Sequence, residues 1–207
     1  MKKNFLFIIS LFLQYQSYGT TDIKLLDGLF NKNISTIQAN FTQTQIGVKK
    51  NVITTGSMKI KRPNKFIWNY NDGQKIICDG KTIFIYDEEL RQVETKKYSK
   101  TLEKTPALLL SGVTNISDEY NITQLSKPSK EVLEWIKLTP KNNRDSNQIK
   151  SIEIGFVNSK LSKMNFVDNL DHHIEMVFSN IQENTSIADK EFKFEIPKSV
   201  DTIDSDS

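Results

Sequence analysis

The sequence predicts a mainly β fold, a barrel or strongly curved antiparallel sheet with a few helices. Three observations carry that reading. From Gly56 to Tyr86 the chain runs through consecutive short segments of period-two alternation, broken by Arg62-Pro63-Asn64, Asn71-Asp72-Gly73 and Asp79-Gly80. Beyond residue 120, six more runs rich in β-branched and aromatic residues lie between turn residues. Only two short regions, one N-terminal and one central, have helical character.

Taken in order, Lys2 and Lys3 precede an apolar run from Phe5 to Leu13, followed by polar residues and the small pair Ser17 and Gly19. That is the pattern of a secretory signal peptide, residues 1–19, with an apolar core too short to span a bilayer. Residues 20–207 then form a single domain. A helix over Ile23–Phe30 places Leu25, Leu26, Leu29 and Phe30 on one side, capped by Thr21 or Asp22 and ended by Asn31-Lys32-Asn33. Ile37, Ala39 and Phe41 alternate with polar residues, and Gly47–Asn51 turns this strand back into Val52–Ile60. Phe66, Trp68 and Tyr70 give the next strand an aromatic face. Gln74–Cys78, Thr82–Tyr86 and Arg91–Lys96 continue the series, with Asp79-Gly80 as a hairpin signal.

The pattern then changes. Thr105-Pro106 is a cap followed by proline at the first helical position, and Ala107-Leu108-Leu109-Leu110 is one very apolar helical turn ended by Ser111-Gly112. It either packs over the sheet or covers a pocket. A second short helix fits Asn115–Tyr120. Strands follow at Asn121–Leu125, Val132–Leu138, Ile149–Phe156, Leu161–Val167, His173–Phe178 and Phe192–Ile196.

Composition narrows the function. The chain of 207 residues has 28 basic and 25 acidic residues. Loss of residues 1–19 removes Lys2 and Lys3 and leaves a net charge of +1, too weak a field for a nucleic-acid partner. Cys78 is the only cysteine, so no intramolecular disulfide forms and stability rests on a core. There is no G-x-S-x-G, phosphate-binding loop, CxxC or HExxH. His172 and His173 are adjacent on a strand and face opposite ways, which does not suit one metal. No metal or cofactor is expected. Arg62 precedes a proline and is held on extended backbone at the rim of the aromatic face. It is either a residue that binds something specific or a solvated arginine in a turn.

An ordered set of short segments resembles the LolA family of periplasmic lipoprotein carriers. They are Phe41-Thr42-Gln43, Gly56-Ser57-Met58, Lys61-Arg62-Pro63-Asn64 with Phe66 and Trp68, and Asp79-Gly80-Lys81-Thr82 leading to Tyr86. Gln92-Val93, Thr105-Pro106 with Leu108-Leu109, Leu138-Thr139-Pro140-Lys141 and Phe192-Lys193-Phe194 complete it. Glu88 departs from the proline often found in that turn, and the tail after Val200 is short and acidic.

The resemblance implies an incomplete antiparallel barrel closed by a helical lid over an apolar cavity that takes lipoprotein acyl chains. Expected cavity residues are Phe66 and Trp68, with Ile37, Phe41, Met58 and Ile83, and the lid residues Leu108, Leu109 and Leu110. Arg62 is expected to bond the lid backbone near Leu109, Leu110, Ser111 and Gly112. Such a carrier is a non-enzymatic periplasmic monomer without cofactor. It takes lipoproteins from an inner-membrane ABC-type release complex to an outer-membrane receptor. Two other readings stay open: an envelope-stress sensor built on a lipid-binding domain, and an extracytoplasmic hydrolase.

Overall fold

The alternating runs pair into one twelve-stranded sheet in the computed structural model of the protein, which describes residues 20–30, 34–98, 106–112, 116–126, 134–141 and 149–205. The strands are β1 (Thr36–Ile46), β2 (Val52–Lys61), β3 (Lys65–Tyr70), β4 (Gln74–Asp79), β5 (Thr82–Asp87) and β6 (Gln92–Lys97). After two short helices come β7 (Tyr120–Leu125), β8 (Glu134–Pro140), β9 (Ile149–Val157), β10 (Lys160–Asp168), β11 (His173–Glu183) and β12 (Asp201–Asp204). The order is β12-β6-β5-β4-β3-β2-β1-β11-β10-β9-β8-β7, so β1 and β11 join two meanders and the sheet stays open at β12 and β7. All neighbours are antiparallel except β12, which runs parallel to β6. Helix α1 (Thr20–Phe30) lies against β7; α2 (Pro106–Ser111) lies against β2 and β3, and α3 (Ile116–Glu119) leads directly into β7.

Turn chemistry sets the register. At the β4–β5 turn Gly80 has φ +100, and Asp79 Oδ1 accepts hydrogen bonds from the amides of Lys81 and Thr82, each at 2.8 Å. Gly56 in β2 has no room for a side chain: a Cβ there would run into Asn69 O and meet the Phe41 ring at 2.5 Å. A bulge in β11 between Ser179 and Gln182, opposite Gln38–Asn40 of β1 and with Asn180 at φ 53, shifts the β1–β11 register and bends the sheet.

With these registers one face becomes a continuous apolar row. Ile60 pairs with Phe66 and Phe66 with Cys78, while Met58 pairs with Trp68 and Trp68 with Ile76. Across β1 the row continues through Phe41 opposite Phe178, Met176 opposite Met164, Met164 opposite Ile154 and Ile154 opposite Ile136. These side chains form one buried cluster that also takes in Leu25, Leu26, Leu29 and Phe30 of α1 and Leu108, Leu109 and Leu110 of α2. No helix among the described residues is long and apolar enough to cross a membrane.

One expectation is corrected. Phe192–Ile196 is not a strand: Asp189–Phe192 forms a 3-10 turn and the chain continues extended but unpaired. The apolar residues face the sheet instead of extending an edge. Phe192 is buried, and Phe194 packs its ring 5.5 Å from Phe84 and 5.7 Å from Tyr86 on the outer face. The acidic tail is the strand, β12, added to the β6 edge. Helix α1 spans Thr20–Phe30, with Thr21 and Asp22 within that span. Residues 1–19, the stop at 31–33, Thr105 and Asn115 lie outside the described residues.

Candidate functional site

The β2–β3 turn, the lone apolar helix and the inner face of the sheet meet in one place. β2 ends at Lys61 beside Thr36, and the Arg62 amide donates to Ser35 O at 2.8 Å, which fixes the turn against the start of β1. From there the Arg62 side chain reaches two main-chain carbonyls. Nε donates to Leu110 O at 3.0 Å and Nη1 to Ile34 O at 3.2 Å. One residue thus ties the end of α2 to the segment preceding β1. Asn64 adds a second tie, since its amide donates to Ser111 O at 3.1 Å. Asn64 has φ 64, a left-handed conformation that asparagine tolerates, and Tyr98 holds it by donating from its hydroxyl to Asn64 Oδ1 at 2.8 Å.

Burial lowers the Arg62 pKa to about 10, against the attraction of the Glu183 charge, so the guanidinium stays charged at neutral pH. A charged donor on a buried carbonyl is a strong hydrogen bond. The helix it holds has little stability of its own. Six residues are fewer than an isolated helix needs, and Ala107, Leu108, Leu109, Leu110 and Ser111 are all buried. Its cohesion comes from burial, from Arg62 and Asn64, and from the C-terminal bond of the Gly112 amide to Leu108 O at 3.0 Å.

Where α2 begins, the inner face opens into a cavity of about 290 Å³. Gln43, Trp68, Tyr70 and Ile76 line one side, Ile149, Phe166 and Ile174 the other, with Pro106 and Ala107 between them. Its rim carries Asp168 and His172, paired through Oδ2 and Nδ1 at 2.8 Å. Tyr70 donates from its hydroxyl to Gln43 Oε1 at 3.2 Å. Burial, then Asp72, pushes the Tyr70 phenol up to about 12, while the nearby Trp68 indole N–H works the other way. That N–H lacks a hydrogen bond of normal geometry. The site is therefore apolar with a thin polar rim, suited to holding hydrocarbon.

All nine expected cavity residues lie in the single buried cluster, and Trp68 also lines the open cavity. Ile37, Phe41, Met58, Phe66 and Ile83 lie in the core shared with α2, and Leu108, Leu109 and Leu110 fill the concavity themselves. The far half of the face, Ile136, Leu138, Ile152, Ile154, Met164, Phe166 and Met176, was not singled out from the sequence. Its alternation in β9 and β10 is the same signal that marked β3. Ile34 O, the second acceptor of Arg62, had no sequence signal. Cys78 is no nucleophile: it is buried, and burial pushes its thiol up to about 11. Among the described residues no group of three or more His, Cys, Asp or Glu could hold a metal.

Known proteins resemble this chain in sequence and in fold. The profile of the family described as "Outer membrane lipoprotein carrier protein LolA" matches residues 32–195. The chain is 34% identical over 179 residues to the outer-membrane lipoprotein carrier protein of Chromobacterium violaceum, covering 86% of this chain and 85% of that one. It is 36% identical to that of Hahella chejuensis, with 87% of each chain covered, and 33% identical to that of Nitrosomonas europaea, with 96% and 97% covered. Among solved structures, the fold is shared with an uncharacterized conserved protein from Thermus thermophilus at a TM-score of 0.56 and 9% identity, covering 89% of this chain and 99% of that one. A DUF1329 family protein from Desulfovibrio piger shares it at 0.50 and 10% identity, covering 83% and 94%.

Proposed function

The chain belongs to the LolA family of outer-membrane lipoprotein carrier proteins, and from that premise we propose how it carries its cargo. It is a carrier and not an enzyme. Residues 1–19 direct export and are removed, and residues 20–207 work as one monomeric domain in the periplasm. The acyl chains of a lipoprotein enter between the sheet and α2. They are received from an inner-membrane ABC-type release complex and passed to an outer-membrane receptor.

The observation that carries this reading is that α2 fills the concavity with three leucines, and that the Arg62 side chain and the Asn64 amide bond its last carbonyls. Acyl burial contributes about 0.8 kcal/mol per methylene, so about fifteen methylenes contribute roughly 12 kcal/mol. A site using all of that could not release its cargo. Burying three leucine side chains is worth about 1.5–3 kcal/mol each, or about 5–9 kcal/mol for the seated helix. Cargo and α2 compete for one apolar face, so each offsets much of the other's binding. The open cavity, about 290 Å³, is at the lower bound of ligand pockets, and more room requires α2 to leave. In this scheme Arg62 is the latch. Its bond to Leu110 O exists only with α2 seated, and it biases the empty protein toward closure.

The test uses the processed protein and an environment-sensitive apolar dye. The dye binds, acylated lipoprotein displaces it at near-equal stoichiometry, and the same lipoprotein without its acyl chains does not. Failure of the folded protein to bind dye or acylated lipoprotein contradicts the carrier scheme.

A further inference from the structure

Exposed apolar side chains are unevenly placed on this molecule. Of the nine large hydrophobics exposed among the described residues, Ile46, Val48, Val52, Ile53, Leu90 and Leu170 lie on turns or strand ends at the cavity end of the sheet. The described turns at the opposite end, 62–64, 80–81 and 158–159, carry none. Two of the cavity-end tips are neighbours. Ile46 pairs with His173, so the β1–β2 tip, residues 47–51, stands beside the β10–β11 tip, residues 169–172. Val48 is fully exposed and Leu170 is 77% exposed. The same two hairpins line the cavity through Gln43, Asp168, His172 and Ile174.

The charges around the tips are selective. Lys49 and Lys50 follow Val48 and are exposed. At the other tip Asp171 is paired with Lys150 at 2.7 Å, and the Asp168 carboxylate is hydrogen-bonded to His172 Nδ1 at 2.8 Å. Strand alternation puts Val52 and Ile53 on opposite faces of the β1–β2 tip, so that tip is apolar on both sides. A single protein surface covers one face of a hairpin, whereas the headgroup layer of a bilayer surrounds a narrow tip completely. Apolar residues flanked by lysines are the composition of a segment seated at an anionic interface.

We propose that the β1–β2 and β10–β11 tips form a finger that enters the headgroup layer of an anionic bilayer and sets the cavity mouth against the membrane. Its use in loading or unloading rests on the carrier reading; the membrane contact itself does not. The β5–β6 tip carries Glu88 and Glu89 beside Leu90, which repels such a surface and keeps it clear of the contact.

Flotation of the processed protein with vesicles tests this, using phosphatidylcholine alone and phosphatidylcholine with phosphatidylglycerol. The protein is expected to float with the anionic vesicles and less with the neutral ones. Replacing Lys49 and Lys50 by glutamine lowers anionic binding about fivefold per lysine and leaves neutral binding unchanged. Val48→Asp combined with Leu170→Asp lowers both at least tenfold, and Leu90→Asp changes neither. Dye binding in the cavity stays intact in every variant, which separates failure of this proposal from failure of the carrier reading. No flotation of a dye-binding protein overturns the proposal, as does equal flotation of the Val48→Asp/Leu170→Asp variant. Variants that float normally but no longer exchange cargo with membranes overturn it too, and assign the tips to a protein partner.

Discussion

Replacing Arg62 with leucine isolates one hydrogen bond in the carrier scheme. The guanidinium is charged at neutral pH and donates to Leu110 O at 3.0 Å, and a bond of that kind contributes about 1.5–3 kcal/mol. Its bond to Ile34 O at 3.2 Å ties the segment before β1 and does not act on α2. The Asn64–Ser111 bond is main chain to main chain and survives the substitution, so α2 loses the Arg62 tie and keeps that one. The closed state then weakens relative to the open one by roughly ten- to a hundredfold. When the open state is the competent minority, apparent affinity rises by the same factor. Arg62→Leu should therefore bind the apolar dye about ten- to a hundredfold more tightly, still load lipoprotein, and deliver it slowly or not at all. Arg62→Lys should fall between, keeping the charge but losing the fork of donors. The assay is dye titration followed by two-step transfer with purified components, release and delivery being scored separately. A folded Arg62→Leu protein that loads poorly yet delivers its small load at the normal rate refutes the latch.

Other outcomes follow from the same structure. Gly56→Ala forces a Cβ against Asn69 O and the Phe41 ring and should destabilise the protein by about 1–3 kcal/mol, seen as a lower denaturation midpoint. Phe192→Ala empties a fully buried position on the outer face and should cost about 3–5 kcal/mol, with β12 losing hydrogen-exchange protection together with its neighbours. Asp189, bridged to Lys61 and Lys65, and Glu191, bridged to Lys59, have carboxyls held below their ordinary range by those lysines. Their depressed values stabilise the C-terminal segment fully above the unfolded values of 3.8 and 4.5. That stabilisation is lost as pH falls through the folded values. Proteolysis near residues 187–192 should accelerate there, and molar salt at neutral pH should weaken the same exposed pairs.

Much of the fold was legible because the strands alternate. Phe66, Trp68 and Tyr70 declared one face of β3, and the register carried that face through Met58, Ile76 and Cys78. Asp79-Gly80 announced its hairpin because the aspartate caps the turn and glycine takes the positive φ. Arg62 and the leucine run stood out as a held charge and an isolated apolar helix, but their bond spans 48 residues and no local pattern encodes it. The C-terminal segment was misread for a related reason. Phe192, Phe194 and Ile196 alternate as a strand does, yet the alternation serves packing on the outer face, and the edge pairing falls to Asp201–Asp204. Period two reports which residues share a side, and says nothing of what lies against that side. The cavity mouth was hidden likewise, since Gln43, Asp168, His172 and Ile174 meet only through the β1–β11 ladder.

The central claim is that α2 and the cargo acyl chains compete for one apolar face, and hydrogen exchange at α2 tests it most directly. The amides of Leu108 to Gly112 would be followed with and without a triacylated lipopeptide at saturating, stoichiometric loading. The account predicts that protection at α2 falls on loading, while β2, β3 and β9 keep or gain theirs. Protection at α2 that holds or rises in the loaded protein contradicts it.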